Sequence, residues 1–189
     1  MAYFAKKLKK YTDEITWKSR SKERLENMNS YMLNDENVFL DYNFVTGKKS
    51  DVFSVASYFA MFTKAANEKQ AKTLVDNLPK LEEKYGISTC EKRTTNIDYQ
   101  WDYPNGWAPL QFIMVKALDN YGYKTEAIRI AEKYKNTVEH VFDKTGDLWE
   151  KYNVTDPDAG AAAEYETPAM MGWTAGIYLW CKEYLKNNK

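Results

Sequence analysis

Histidine is nearly absent. His140 is the only one in 189 residues, which rules out a His-rich metal site and argues against a Ser-His nucleophilic triad. Cysteine is almost as scarce. Cys90 and Cys181 stand apart, without metal-binding or redox spacing, and read as buried thiols of a cytoplasmic protein, a single disulfide between them being the other option. Net charge is missing as well: 27 basic residues balance 27 acidic ones, so no overall field draws nucleic acid or an anionic membrane. Nor is any basic stretch interleaved with aromatics in the manner of a single-strand binder. No apolar run approaches the roughly 20 residues of a membrane span. Residues 1–10 are charged from Lys6 onward and lack the apolar centre of a secretory signal. Catalysis, if present, must rest on carboxylates, and no metal or organic cofactor is expected.

Helical periodicity is plentiful. Phe4, Leu8, Tyr11 and Ile15 recur at spacings of four, three and four, and Leu25, Met28, Met32 and Leu33 continue the stripe. They predict one long helix over 3–34, or two joined near Ser19. A loop over 41–50, closed by Gly47, leads to a heavily apolar helix capped near Ser50 and carrying Val52, Val55, Ala56, Phe59, Met61 and Phe62. Further helices are expected over 68–78, briefly from Pro79 to a stop at Gly86, and over 110–121, 124–142 and 167–185. Residues 149–154 read as extended and 155–163 as a small-residue loop. The sum is roughly six or seven helices paired into hairpins by short loops. The chain, 1–189, is read as a single all-α domain.

Aromatic side chains make up 15% of the chain, a high share that core packing explains in large part and a carbohydrate site would explain too, and they crowd into one run. Gln100-Trp101-Asp102-Tyr103-Pro104-Asn105-Gly106-Trp107-Ala108-Pro109 places two indoles and a phenol around one carboxylate, with Pro104, Gly106 and Pro109 imposing turn geometry. Indole faces cover the C–H face of a sugar ring, while Gln100, Asp102 and Asn105 can orient its hydroxyls. The other reading is a helix entrance that buries two tryptophans. Further on, Trp149-Glu150-Lys151-Tyr152 sets a carboxylate between aromatics, where partial desolvation suits proton transfer, with Lys151 alternating to the far side of an extended segment. On its own Glu150 also reads as a surface charge before a loop.

The run over 100–109 resembles one of the two signature motifs of the trehalase family of glycoside hydrolases at essentially every position. Glu150, followed by Lys151 and Tyr152, resembles the segment that contributes the family's catalytic base. Gly160-Ala161-Ala162-Ala163-Glu164-Tyr165 resembles its glycine-rich run before Glu-Tyr, and Gly172-Trp173-Thr174-Ala175-Gly176 its Gly-Trp-Thr-Asn-Gly segment. Two departures are visible. Glycines have become alanines, which restrict the backbone, and Ala175 replaces a polar Asn. From about Leu25 to Trp180 the order of features follows the C-terminal part of a trehalase.

The resemblance implies an (α/α) six-hairpin toroid, of which this chain supplies about half. It also implies inverting hydrolysis of α,α-trehalose to glucose, with Glu150 as general base. Gln100, Trp101, Asp102, Asn105, Trp107, Glu164 and Trp173 would then line or support the sugar pocket. Glu166 reads rather as a cap for the last helix. Inversion needs a second carboxyl as acid. The family carries it well upstream, and no counterpart is found here, Asp102 being the only candidate substitute, though in so turn-rich a loop more an orienting group. The chain would accordingly be a fragment, a short relative that binds sugar without cleaving it, or a half-toroid completed by a second copy or another subunit. The apolar stretch over 52–62 is expected to seek such a partner. A non-catalytic carbohydrate-binding module is the alternative function.

Overall fold

Apolar spacing of three and four dictates helix, and helices dominate a computed structural model that describes residues 1, 7–93, 99–161, 164–169 and 171–188. The chain divides into two compact units, 1–50 and 51–189. In the first, α1 (Tyr11–Asn27) carries a Glu14–Lys18 ion pair of 2.6 Å one turn apart and widens into a π-helical turn over Met28–Met32. The long stripe does not break near Ser19. It breaks at Lys9, whose φ of 58° is incompatible with a continuing right-handed helix. A small hairpin follows, β1 (Tyr42–Asn43) against β2 (Lys48–Lys49), so part of the expected loop is paired.

In the second unit the helix expected from Ser50 is a short 3-10 turn over Val55–Tyr58, continued by one α-turn, Phe59–Phe62, and capped by Ser54. Residues 53–55 are drawn away by tertiary pairing: Phe53 O accepts from Glu91 N at 2.9 Å, and Val55 N donates to Thr89 O at 3.0 Å. The apolar stretch over 52–62 offers no open face. Phe53, Val55, Tyr58, Ala60 and Met61 are buried within the unit, and among its large side chains only Phe59 is exposed. Contrary to expectation, this stretch therefore gives no reason to seek a partner.

α2 (Glu68–Asn77) begins with an Asn67–Gln70 capping box. Pro79 then sits in a 3-10 turn, and Gly86 does not end a helix: it lies in a hairpin, β3 (Glu82–Glu83) against β4 (Gly86–Ile87). Two side chains pin that hairpin. Gln111 mimics a neighbouring strand, accepting from Ile87 N at 2.9 Å and donating to Ile87 O at 2.7 Å. Gln111→Leu would orphan both buried backbone groups, and we expect a loss of roughly 2–4 kcal/mol in a urea titration. Burial opposes charge on Glu82, but hydrogen bonds from Arg129 and Lys133 outweigh it and hold this carboxyl below its ordinary 4.5. A carboxyl depressed by folding stabilises above its unfolded pKa and loses that contribution as pH falls through the folded one. Glu82→Gln should thus lower the urea midpoint at pH 7, and the gap to the parent should close as pH drops below about 4.

Three helices carry the rest. α3 (Ala108–Asn120), α4 (Lys124–Thr145) and α5 (Met171–Asn188) pack on one another. The expected inner face of α4 (Ala127, Ile130, Ala131, Tyr134, Val138 and Val141) is buried against Met114, Leu118, Cys181 and Leu185 of the common core. α4 runs to Thr145 and ends where Gly146 takes the left-handed conformation at φ 75°. α5 starts later than expected because 168–169 are claimed by the strand region: Pro168 O accepts from Glu150 N at 3.1 Å, and Ala169 bridges to Trp149. Glu166 lies exposed ahead of that bridge, and the residue immediately before α5, where a cap would act, is outside the described residues. The strands are two or three residues long, and the fold class is all-α as expected.

Candidate functional site

A three-residue ladder joins the two informative segments. β5 (Asn105–Trp107) pairs antiparallel with β6 (Lys151–Asn153), setting Asn105 opposite Asn153, Gly106 opposite Tyr152 and Trp107 opposite Lys151. The loop before β5 is tied to itself. Gln100 O accepts from Asn105 Nδ2 at 3.1 Å and from Trp107 Nε1 at 2.9 Å. Asp102 Oδ1 accepts from Tyr103 N at 2.8 Å and from Cys90 Sγ at 2.7 Å. Burial and the neighbouring Asp102 carboxylate push the Cys90 thiol up to about 12, so it remains a donor rather than a thiolate. Cys90 and Cys181 are both free and buried, which removes the disulfide option.

The indoles build outward from this base. Trp107, fully buried, stacks on Trp101 with centroids 3.9 Å apart and planes 4° from parallel, and meets Trp173 edge-on at 5.7 Å. Trp101 keeps 47% of its surface in solvent, so the stack is a buried pillar with one open indole on top. Of the two tryptophans, Trp107 is buried at the helix entrance and Trp101 is the one left exposed.

Beside the pillar stands Glu150, only 9% exposed. Its Oε2 accepts from Lys151 Nζ at 3.1 Å and from the Tyr165 hydroxyl. Its backbone oxygen accepts from Trp173 Nε1 at 3.2 Å, while Thr174 Oγ1 donates to Trp149 O at 2.7 Å. The bond to Glu150 is the main reason the Tyr165 phenol is pushed up to about 12, burial adding less, so it stays protonated and donating near neutral pH. Among the described residues Glu150 Oε1 accepts no hydrogen bond.

The expected site residues accordingly divide. Trp101 is half exposed and Glu150 nearly buried, Trp107 stacks on Trp101, Trp173 donates to the Glu150 backbone, and Asn105 is fully buried as a tie within the loop. Gln100 acts through its backbone, its N–H donating to Glu164 Oε2 at 3.3 Å, which fastens the exposed Glu164 to the loop. Asp102, engaged by a thiol and an amide on one oxygen, orients the turn. Lys151 does not turn to the far side. The strand alternates, but the long stem curls back to the carboxylate, and its side chain is 0% exposed. Sequence reasoning also passed over Tyr165, for which the Glu164-Tyr165 pair was the available signal. A cavity of about 610 Å³ opens nearby, lined by Thr145, Trp149, Lys151 and Asp158 among others; neither Glu150 nor Trp101 lines it, and Asp158 is occupied by Lys144 and His140. Among the described residues no cluster of His, Cys, Asp or Glu is arranged to hold a metal.

The fold is that of helical glycoside hydrolases. A mannosylglycerate hydrolase of family GH63 from Thermus thermophilus, solved with Tris, matches 84% of the chain and 36% of its own at a TM-score of 0.64, and at 14% identity the likeness speaks for fold alone. Within that class the chain belongs to the trehalase family, whose model, Trehalase, matches residues 1–186. The structure of neutral trehalase Nth1 from Saccharomyces cerevisiae is similar at a TM-score of 0.77 and 31% identity, over 90% of this chain and 31% of that one. The cytosolic neutral trehalase of Kluyveromyces lactis is 32% identical over 90% of this chain and 25% of its own length. A periplasmic trehalase of Escherichia coli O8 is 33% identical over 82% and 28%. The chain thus spans about a quarter of the length of these curated relatives. No helix among the described residues is long and apolar enough to cross a membrane.

Proposed function

We propose that this chain carries the general-base side of an inverting, trehalase-type hydrolysis of α,α-trehalose to glucose, with Glu150 as the base. The observation behind it is the asymmetry of that carboxylate: Oε2 is held by an ammonium and a phenol, Oε1 has no donor among the described residues, and the exposed Trp101 indole, stacked on Trp107, would be the sugar platform. In the reaction, water gives a proton to Glu150 Oε1 as its oxygen bonds to the anomeric carbon, and the anomeric bond to the bridging oxygen breaks. A second carboxyl on the opposite face, roughly 6.5–9.5 Å away, protonates the departing oxygen. Asp102 is spoken for by Cys90 and Tyr103, so we assign the acid to a complementary half of the toroid, contributed by self-association or by another chain, in the cytoplasm.

The test is glucose release from α,α-trehalose by the purified chain, followed by NMR so that the first-formed anomer is seen. Trehalose consumed with one glucose appearing as the β anomer supports inversion; retention at that centre would overturn it. A second reading, a module that binds sugar without cleaving it, is favoured by the open Trp101 face. It predicts tryptophan quenching by glucose or trehalose with no glucose released. On either reading Trp101→Ala should weaken sugar binding about tenfold by fluorescence titration, since one stacking face is worth up to ~1.5 kcal/mol. Unchanged affinity would remove Trp101 from the site.

A further inference from the structure

We propose that Lys151 is a positioning residue for the base: its buried ammonium fixes Glu150 Oε2 and thereby aims Oε1 at the reacting water. The proposal rests on the reading of Glu150 as base. A buried ammonium is costly unless paired, and a purely structural strut in this slot would be better served by an apolar side chain of similar length. Yet the Lys151 side chain is 0% exposed, and among the described residues its one hydrogen bond goes to Glu150 Oε2 at 3.1 Å. Nζ also lies against two ring faces, 4.9 Å from the Trp107 centroid and 4.3 Å from that of Tyr165, and the residue borders the adjoining cavity. Cation–π contact compensates the charge without offering a competing acceptor, so the ammonium's directional bond is kept for the carboxylate.

The placement has a second consequence. A carboxylate is symmetric about its last torsion and, with one donor on each oxygen, would show no preferred free atom. Here Lys151 and Tyr165 converge on the same oxygen, which distinguishes the two. The indole beneath Nζ is the one that stacks on Trp101 at 3.9 Å, so a single side chain sets the base in register with the sugar platform. Displacing a reacting group by about 1 Å costs on the order of 100-fold in rate.

The experiment has two arms on the full chain. In the first, lysine ε-methylene groups are labelled with carbon-13. The Lys151 resonance, assigned by its disappearance in Lys151→Met, is expected to be shifted upfield by its two rings and to lose that shift in Glu150→Ala, where no anion anchors the ammonium. A resonance that stays in place in Glu150→Ala overturns the proposal. In the second, Lys151→Met is expected to lower kcat for trehalose roughly 100-fold with KM unchanged, and Lys151→Arg to recover about tenfold of that loss. Wild-type kcat in Lys151→Met overturns it as well. Should Lys151→Met fail to fold, the parent's resonances are assigned through Lys151→Arg, and the comparison with Glu150→Ala decides. If the parent chain alone releases no glucose, self-association does not supply the acid, and the first arm, which needs no turnover, decides for Lys151.

Discussion

Glu150→Gln should lower glucose release by about 10²–10⁴-fold, the usual range for removing a general base, while leaving the fold and sugar binding intact. The amide is nearly isosteric with the carboxylate. Its oxygen can still accept from Lys151 and Tyr165, which occupy one oxygen of the parent side chain. What is lost is the open, basic atom, since an amide nitrogen cannot take a proton from water. The cradle is otherwise fixed by backbone: Glu150 N donates to Pro168 O, and Glu150 O accepts from Trp173 Nε1, and neither depends on the carboxyl group. Thermal unfolding and tryptophan quenching by glucose should follow the parent closely, the loss of attraction to Lys151 being the main difference. A variant that hydrolyses trehalose at the parental rate would dismiss Glu150 as base.

The parts of this molecule that could be read from sequence are those fixed by local chemistry. Helices α3 and α4 and the buried face of α4 follow from apolar spacing, although α4 runs three residues past its expected end. The extended stretch around Lys151 was likewise evident from its aromatic and branched residues. The errors came where distant segments competed with local preference. Residues 53–55 pair with 89–91 and delay a helix, and Pro168 and Ala169 pair near Trp149 and shorten another. Gln111 turns the stretch before Ile87 into a hairpin through bonds made across 24 positions. The candidate site divides in the same way. Residue type and motif nominate Glu150 and Trp101, whereas the placement of the Lys151 ammonium escapes them because alternation describes where a Cβ points and not where a four-carbon stem ends.

Gly106→Ala should cost stability and distort the site at once. A Cβ at this position would lie 2.3 Å from Val154 Cγ1, 2.9 Å from Ile87 O and 3.1 Å from Gln111 Nε2. None of the three can retreat freely. Val154 is hydrogen-bonded through both backbone groups, to Pro104 O and from Tyr85 N, and Ile87 O is held by Gln111. Overpacking a tight interior usually costs about 1–3 kcal/mol, and a clash that includes a fixed carbonyl belongs at or above the top of that range. About 3 kcal/mol corresponds to a fall in Tm of roughly 6–12 °C for a chain of this size. Because Gly106 lies opposite Tyr152 in the ladder that sets Trp107 against Lys151, the same strain should pull base and platform out of register. Sugar binding should therefore weaken even below the new Tm. Adding Val154→Ala removes the nearest atom and should recover part of the lost Tm, leaving the contact with Ile87 O as the remainder. If Gly106→Ala alone unfolds at the parental temperature, the close approach of β5 to Val154 and Ile87 is not a constraint on this fold.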